Sequence, residues 1–247
     1  MSSTYYTIPP DIYDKQFWWK KDDIEFWKKI LLSKNQTTLE LAAGTGRLGL
    51  PLVREGLNYS GIEISTEYCK YANHRFRNLN EKIYIYNNDM RMFNLNKKFD
   101  NIFIGFNSWL HLLKEEDAYN CLQSIKKHMK ATSFFYIDIL VPNPLFLYRP
   151  NNVALPVLEF ENNNQMIYID EKLDFNKDLE LANITWLYSN KDHKELFQFQ
   201  FQMKMYYPDT MNRLLIDNGF KIKNIWGDYD KNFFNEGSVL QIYKCSL

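Results

Sequence analysis

A strand, a turn and a helix meet in the stretch Thr38-Leu39-Glu40-Leu41-Ala42-Ala43-Gly44-Thr45-Gly46-Arg47. The apolar residues before the glycines predict a strand, and residues 47–55 continue as a helix. Glycine lets the chain bend sharply and lets a ligand approach the backbone closely, and the first N–H groups of a helix attract polar ligand groups. Glu40 stands inside the apolar strand. Because a buried carboxylate is costly when it is alone, we expect a cationic or hydrogen-bonding partner for it.

Strands and helices alternate on both sides of this turn, from residue 37 to residue 140. Alternation of this kind predicts βαβ units, a parallel sheet and right-handed crossovers. The predicted strands are 37–42, 58–64, 83–86, 99–105 and 133–140, and the predicted helices are 47–55, 66–79 and 115–129.

The pattern changes at the prolines of residues 142–150, which predict a crossing away from the sheet. Alternating runs at 165–175, 179–188 and 195–207, separated by asparagine-rich turns, predict antiparallel hairpins. A helix over 208–218 should follow, with Asp209 as its N-cap and Gly219 at its end. Strands at 220–229 and 238–245 should then close the sheet. The sequence therefore predicts an α/β fold: a Rossmann-like seven-stranded sheet with helices on both faces and an antiparallel β insertion between the fifth strand and the last helix.

Composition and charge limit the possible functions. The formal net charge is zero, with 30 basic and 30 acidic residues, so nothing favours nucleic acid as a partner. The three cysteines are scattered without a C-x-x-C pair, which predicts no metal site and fits a reducing compartment. No apolar run approaches the roughly 18–20 residues of a membrane helix, and residues 1–12 do not resemble a signal peptide. We therefore expect a cytoplasmic protein with no membrane partner.

The glycine turn also matches a second pattern. Gly44, Gly46 and Gly49 fit G-x-G-x-x-G, the dinucleotide fingerprint, so a NAD(P)-dependent oxidoreductase is an alternative. Glu63 follows Gly44 by 63 − 44 = 19 residues and suits the ribose of either kind of cofactor. The carboxylate of Glu40, however, would repel a pyrophosphate and suit a ligand with an ammonium group.

Four segments together resemble the class I S-adenosylmethionine-dependent methyltransferases, and the resemblance spans about Tyr13 to Cys245. They stand in the family's order and spacing, and they are Leu39–Arg47, Gly61–Ser65, Asn88–Phe93 and Phe99–Leu112. The family usually has glycine where Ala42 stands, and alanine is the smallest departure from it. The combination of Ala42–Arg47 with Asn107–Leu112 is similar to enzymes that act on small amines, including amino-sugar N-methyltransferases.

The resemblance implies a cofactor site at the carboxyl ends of neighbouring strands. Glu40 would orient the amino group of S-adenosylmethionine, Glu63 would bind the ribose hydroxyls, and Asp89 would accept a hydrogen bond from the adenine amine. Ile64 would pack on the adenine ring, and Phe106 would line the methionyl part. The implied cofactor-binding residues are Glu40, Ala42, Gly44, Thr45, Gly46, Glu63, Ile64, Asp89, Met90 and Phe106.

Methyl transfer needs a general base only when the acceptor arrives protonated. His111 is the candidate catalytic residue for this role, because it follows the fourth predicted strand, near the expected position of the acceptor. A structural histidine that caps the following loop is the alternative. Asp228 and Asp230 face either the pocket, where they would suit an amine, or solvent. The candidate substrate or lid residues are Tyr13, Trp18, Asn107, Trp109 and Arg149.

These residues predict transfer of a methyl group from S-adenosylmethionine to nitrogen or oxygen of a small-molecule acceptor, leaving S-adenosylhomocysteine. A non-catalytic protein that binds S-adenosylmethionine is a further alternative. We expect one domain, residues 1–247, and a possible homodimer through the β insertion. Its parts are a helical lid (13–35), a cofactor-binding core (37–140), the β insertion (142–207) and a C-terminal helix with a β-hairpin (208–247).

Overall fold

A computed structural model describes residues 8–33, 35–79 and 83–247. Two parts of the sequence interpretation, residues 1–7 of the N-terminus and Lys34 of the predicted lid, therefore lie outside the described residues. The chain divides into two compact units. The larger unit contains Lys20–Val141 and Tyr206–Leu247, and the smaller contains Pro142–Met205 with the described residues 8–19.

Helices and strands follow one another closely in both units. The strands are β1 (Thr37–Leu41), β2 (Asn58–Glu63), β3 (Ile85–Asn87), β4 (Phe99–Ile104), β5 (Met129–Leu140), β6 (Leu155–Asn162), β7 (Gln165–Asn176), β8 (Leu181–Asn190), β9 (Glu195–Lys204), β10 (Lys221–Trp226) and β11 (Leu240–Ser246). The helices are α1 (Pro10–Gln16), α2 (Asp22–Leu31), α3 (Gly49–Arg54), α4 (Thr66–Arg77), α5 (Glu115–His128), α6 (Pro144–Leu147) and α7 (Pro208–Asp217).

The larger unit is built on a seven-stranded sheet in the order β10-β11-β5-β4-β1-β2-β3. The strands from β5 to β3 are parallel, whereas β11 runs antiparallel to both β5 and β10. The predicted α/β fold, with its closing hairpin on a parallel sheet, is confirmed. This topology brings the carboxyl ends of β1, β2, β3, β4 and β5 to one edge, where open α/β sheets bind ligands.

Helices α2, α3 and α4 contribute to one hydrophobic cluster with the sheet. Phe26 and Trp27 of α2 are fully buried, and so is Phe76 of α4. Burying such aromatic side chains removes a large apolar area from water and is a main source of stability. Helix α2 is thus part of the core of the larger unit, whereas α1 belongs to the smaller unit.

The smaller unit holds an antiparallel sheet in the order β6-β7-β8-β9. The three predicted runs correspond to β7, β8 and β9. The prediction missed β6, because Pro156 interrupts its pattern. The pairing with β7 shifts register between Pro156 and Leu158, and an edge strand with a bulge is where a sheet tolerates proline. Its apolar core combines residues of the N-terminal segment with residues of the four strands: Ile8, Ile12 and Tyr13 with Phe160, Ile167, Ile169, Tyr188 and Phe199.

Three local predictions need correction. Tyr207, and not Asp209, is the N-cap of α7, because Pro208 occupies the first position of the helix, where proline's missing N–H costs nothing. Strand β5 begins at Met129, directly after α5. The sequence also gave no sign of the 3₁₀ turn Ser108–His111 or of the short α6. The predicted end of α7 at Gly219 is confirmed, since its φ is +80° and its N–H donates to the carbonyl of Ile216.

The three cysteines, Cys69, Cys121 and Cys245, are free and buried. Burial raises the pKa of all three thiols. A thiol is a weak nucleophile until it loses its proton, so these side chains act as small apolar groups of the core.

Across the described residues, no helix combines the length and the apolar character that crossing a bilayer requires.

Candidate active site

The turn after β1 forms an open cradle. Ala42, Gly44 and Gly46 all have positive φ values, of 57°, 57° and 80°. A Cβ at Gly44 would meet nothing within 4 Å, so a ligand can approach its backbone from that side. A Cβ at Gly46 would instead lie 2.8 Å from the ring of Phe76. The two glycines therefore serve different needs, namely access at Gly44 and close packing at Gly46.

Ala42 has a left-handed backbone conformation, which costs a residue with a Cβ about 1–2 kcal/mol. Glycine adopts this conformation without that cost. The structure thus gives a physical reason for the glycine that the resembling family usually has here.

The partner expected for Glu40 is Tyr59 of the neighbouring strand β2. Glu40 is 2% exposed, and its Oε2 accepts a hydrogen bond from the Tyr59 hydroxyl at 2.5 Å. Burial raises the pKa of Glu40 to about 8, although the bond from Tyr59 and the charge of Arg47 act to lower it. The carboxyl group is therefore mostly protonated at neutral pH until a cation comes near it.

Glu63 ties the end of β2 to the turn after β1. Its carboxylate accepts hydrogen bonds from the backbone N–H of Gly44 at 2.7 Å and of Ser65 at 2.8 Å. Burial raises the pKa of Glu63 to about 7, and these two bonds act to lower it. The next residue, Ile64, is 42% exposed. A carboxylate and an exposed apolar side chain thus stand next to each other at the edge, and contacts of Glu63 with ribose and of Ile64 with adenine stay predictions.

Asp89, after β3, is held by a partner that the sequence interpretation did not include. Arg91 donates to both carboxylate oxygens of Asp89, over 2.6–3.0 Å, and its third nitrogen donates to Asp117 of α5 at 3.1 Å. Burial acts to raise the pKa of Asp89, but the hydrogen bonds and charge of Arg91 outweigh it and lower the pKa. Asp89 is therefore ionised and fixed, beside the half-buried Met90.

The loop after β4 contains two consecutive residues with a left-handed backbone conformation, Phe106 and Asn107. The Asn107 N–H donates to the carbonyl of Asp138 at 3.2 Å, and its Oδ1 accepts from the N–H of Leu140 at 2.7 Å. The guanidinium group of Arg47 lies 4.2 Å from the centroid of the Phe106 ring. These contacts connect the loop to β5 and to the glycine turn.

Two further residues of the turn are fixed from outside it. Arg47 makes a two-pronged ion pair with the buried Asp23 of α2, at 2.5 and 3.2 Å. Thr45 is buried, and its carbonyl accepts a hydrogen bond from Arg75 at 3.1 Å. The sequence did not assign a role to Arg47, because its partner comes from a helix that precedes the sheet.

The candidate acceptor residues are divided between the two units. Asn107, Trp109 and His111 lie in the larger unit, directly after β4. His111 ends the 3₁₀ turn and is half-buried. Trp109 is fully buried, with its ring centroid 6.0 Å from that of Tyr206, so it packs in the interior in this structure.

Tyr13, Trp18 and Arg149 belong to the smaller unit. Trp18 is 62% exposed, and Tyr13 packs edge-on against Phe17 with 4.9 Å between ring centroids. Arg149 is paired with the buried Glu171 at 2.7 Å. The larger unit thus contains the cofactor candidates and the acceptor candidates Asn107, Trp109 and His111, whereas Tyr13, Trp18 and Arg149 belong to the smaller unit.

The loop after β10 shows a contact that the sequence interpretation missed. Asp228 binds Asn232 within its own loop at 2.7 Å, and Asp230 is exposed. Tyr229, between them, donates a hydrogen bond to the buried Asp138 of β5 at 2.9 Å. Asp138 carries the same signal as Glu40, an acidic residue inside an apolar strand, and could have been found in the same way.

Known proteins share this architecture. Residues 38–132 match a family of methyltransferase domains. The fold is similar to that of the CcbJ methyltransferase from Streptomyces caelestis (TM-score 0.81, 16% identity, 98% of this chain and 97% of that one). It is also similar to an S-adenosylmethionine-dependent methyltransferase from Clostridium acetobutylicum ATCC 824 (0.77, 20%, 96% and 96%). A third similar structure is the sugar N-methyltransferase KedS8 from Streptoalloteichus sp ATCC 53650 (0.72, 13%, 98% and 96%).

Residues 38–132 thus match a methyltransferase domain, and the fold is that of the similar S-adenosylmethionine-dependent methyltransferase, in agreement with the resemblance that the sequence motifs indicated. The residues present fit that cofactor, because Gly44 leaves an open cradle beside the carboxylate of Glu63. The alternative of a dinucleotide-binding oxidoreductase is disfavoured. Dinucleotide folds continue with a parallel sixth strand, whereas here the antiparallel pair β11 and β10 follows β5.

Proposed function

We propose that this chain transfers a methyl group from S-adenosylmethionine to the nitrogen of a small-molecule amine. The observation that carries the proposal is the set of three acidic side chains on three neighbouring strands: Glu40 in β1, Glu63 at the end of β2, where it binds the N–H of Gly44, and Asp89 just after β3. Carboxyl groups at these positions suit a cofactor with an ammonium group, ribose hydroxyls and an adenine amine, and once ionised they would repel a phosphate.

Each acidic residue has a distinct part in the proposal. Glu63 accepts from the ribose hydroxyls while it keeps its bonds to the backbone. Asp89 accepts from the adenine amine, Met90 offers its backbone N–H to the ring, and Ile64 packs on the ring face. Glu40, which ionises when a cation comes near, attracts the amino group. Ala42, Thr45 and Gly46 shape the backbone of the turn, as described above.

When bound, the cofactor would supply a methyl group on a positively charged sulfur, and the nitrogen lone pair of the acceptor would form a bond to the methyl carbon as the carbon–sulfur bond breaks. The protein has to orient the acceptor and exclude water. Phe106 lines this part of the site, and an aromatic face near a cation contributes about 0.5–2 kcal/mol. His111, a few residues further, accepts the proton of an acceptor that arrives as an ammonium ion.

The acceptor is proposed to be an amine, and an amino sugar in particular. The support is the likeness in fold to KedS8, which is named a sugar N-methyltransferase, together with the segments Ala42–Arg47 and Asn107–Leu112. The contacts of Tyr13, Trp18, Asn107, Trp109 and Arg149 with the acceptor, a cytoplasmic location and a homodimer through residues 142–207 stay predictions.

Binding and turnover test the proposal separately. Calorimetry should show S-adenosylhomocysteine binding and no NADH binding, and Glu63→Ala should abolish the former. The wild type should then methylate at least one member of a panel of amino sugars, primary amines and phenols, with a radiolabelled methyl donor. Binding without any turnover would favour the non-catalytic alternative, and turnover of phenols alone would refute the choice of nitrogen.

The role of His111 is tested with the best acceptor of that panel. His111→Gln should lower kcat by about 100-fold and leave the affinity for S-adenosylhomocysteine unchanged. His74→Gln, a change at an exposed position of α4, is the matched control and should have no effect. If both variants keep the wild-type kcat, His111 is structural.

A further inference from the structure

A buried carboxyl group, that of Asp138, lies at the same sheet edge as the cofactor candidates. Ile137 of β5 pairs with Ile104 of β4. The next residue of β5, Asp138, therefore lies beside Gly105, which precedes Phe106. Asp138 is fully buried. Its Oδ2 accepts the hydrogen bond from Tyr229, but its Oδ1 receives no hydrogen bond of normal geometry from the described residues. A buried carboxylate oxygen that lacks a well-formed hydrogen bond is costly, so this carboxyl group has capacity for a further interaction.

The charges around Asp138 do not cancel. Arg47 pairs with Asp23 at 2.5 Å, and Lys20 pairs with Asp22 at 2.9 Å. Among the described residues, Asp138 is the acid of this group that has no basic partner of its own. These three acids and two bases therefore carry one excess negative charge whenever Asp138 is ionised.

The pKa of Asp138 lies below neutral pH, which favours its ionised form. Burial raises its pKa to about 6, the hydrogen bond from Tyr229 acts to lower the pKa, and the charge of Asp23 acts to raise it. The backbone N–H of Phe106 and the ammonium group of Lys20 also face the carboxyl group and act to lower its pKa. Lys20 lies over the ring of Tyr229, 4.6 Å from its centroid.

We propose that Asp138, oriented by Tyr229, is a positioning residue that supplies a fixed negative charge beside the methyl-transfer centre. The inference rests on the proposed function, which puts the charged sulfur next to Phe106. During amine methylation the positive charge passes from sulfur to nitrogen, and a buried negative charge attracts both cations. A preorganised charge in a water-poor site acts far more strongly than one in solvent.

Two ligands that differ by one positive charge test this inference without an acceptor. S-adenosylmethionine and S-adenosylhomocysteine differ by a methyl group and the charge on sulfur. In calorimetry of the full chain at about pH 7.5, Asp138→Asn should weaken the binding of S-adenosylmethionine by about tenfold or more. Its affinity for S-adenosylhomocysteine should stay unchanged. Asp230→Asn, which removes an exposed carboxylate beside Tyr229, is the matched control and should change neither affinity.

The pH dependence gives a second readout that a merely structural role would not affect. In the wild type, the preference for S-adenosylmethionine over S-adenosylhomocysteine should fall as the pH is lowered through about 6, because Asp138 becomes neutral. In Asp138→Asn the preference should not vary with pH. Glu40 and Glu63 also titrate near neutral pH, but they act on parts that both ligands share, so their effect cancels in the ratio.

The outcomes separate this inference from the proposed function. If Asp138→Asn binds S-adenosylhomocysteine normally and keeps the wild-type preference, the inference is wrong and the proposed function stands. If the wild type binds neither ligand, the proposed function fails. If Asp138→Asn does not fold, the inference is tested with Tyr229→Phe instead. Loss of its hydrogen bond should raise the pH at which the preference falls, and an unchanged midpoint would overturn the inference.

Discussion

The hydroxyl group of Tyr59 lies 2.5 Å from Oε2 of Glu40, in a space that two glycines leave open. Glu40 stands opposite Gly61 in the register of β1 and β2. A Cβ at Gly61 would lie 3.1 Å from this hydroxyl, and one at Gly49 would lie 2.4 Å from it. The glycine at position 49 therefore serves the packing of a tyrosine under the turn, which is why a match to G-x-G-x-x-G does not by itself indicate a dinucleotide.

Tyr59→Phe should leave the carboxyl group of Glu40 buried without its donor. We expect a loss of about 1–3 kcal/mol in the free energy of unfolding and weaker binding of S-adenosylhomocysteine. Urea denaturation and calorimetry measure the two effects. Tyr84→Phe removes the hydroxyl of an exposed tyrosine and is the matched control. Equal stability of the two variants would show that the bond to Glu40 contributes little.

Stability should fall as the pH rises through neutrality. Burial raises the pKa of Glu40 to about 8 and that of Glu63 to about 7, whereas glutamate in an unfolded chain titrates near about 4.3. Between these values the folded protein holds protons that the unfolded chain has released, so the free energy of unfolding decreases with increasing pH. We expect a decrease of about 1–3 kcal/mol between about pH 6.5 and 8.5 in urea denaturation.

Glu63→Gln should make this dependence shallower, because the amide does not titrate. Glu67→Gln, at an exposed position of α4, should leave the dependence as it is in the wild type. A free energy of unfolding that increases over the same interval would contradict the assignment of protonated, buried glutamates to this site.

Glycine substitutions at the two alanines of the turn should have opposite effects. Ala42→Gly removes a strain of about 1–2 kcal/mol and adds a smaller entropy cost in the unfolded chain, so we expect a gain of about 0.5–1 kcal/mol. Ala43 is buried and has no positive φ. Ala43→Gly should therefore cost about 1 kcal/mol. Thermal unfolding of both variants tests this, and destabilisation by Ala42→Gly would refute the strain.

Arg91→Lys should weaken cofactor binding without removing the positive charge. Lysine cannot make the fork of hydrogen bonds that arginine donates to a carboxylate, so Asp89 loses its fixed orientation and its tie to Asp117. We expect the affinity for S-adenosylhomocysteine to fall by about 3–10-fold in calorimetry. Arg77→Lys, at an exposed position of α4, should bind like the wild type. An increased affinity in Arg91→Lys would mean that Arg91 competes with adenine for Asp89.

The elements of the parallel sheet were predictable from the sequence, because each buried strand is an apolar run bounded by turn residues. The same signal failed at β6, where Pro156 interrupts the alternation and the strand needs a bulge to continue. It also failed at the start of α7, since Asp209 has the side chain of an N-cap while Pro208 already occupies the first turn.

Within the candidate site, the sequence indicated the residues that stand at strand ends, such as Glu63 and Asp89. It did not indicate their partners. The pairing of Glu40 with Tyr59 depends on the register between two strands, and that of Asp138 with Tyr229 joins residues 91 positions apart. Partners of this kind are set by the assembled sheet and leave no local pattern in the chain.

The burial of Cys69, Cys121 and Cys245 has a practical consequence. These are all the cysteines of the chain, and we expect their burial to protect them from a maleimide in the native protein. A cysteine introduced at Met92, which is 79% exposed, would take up a fluorophore selectively with the natural residues left in place. Such a dye, attached two positions from Met90, would report cofactor arrival as a change in emission.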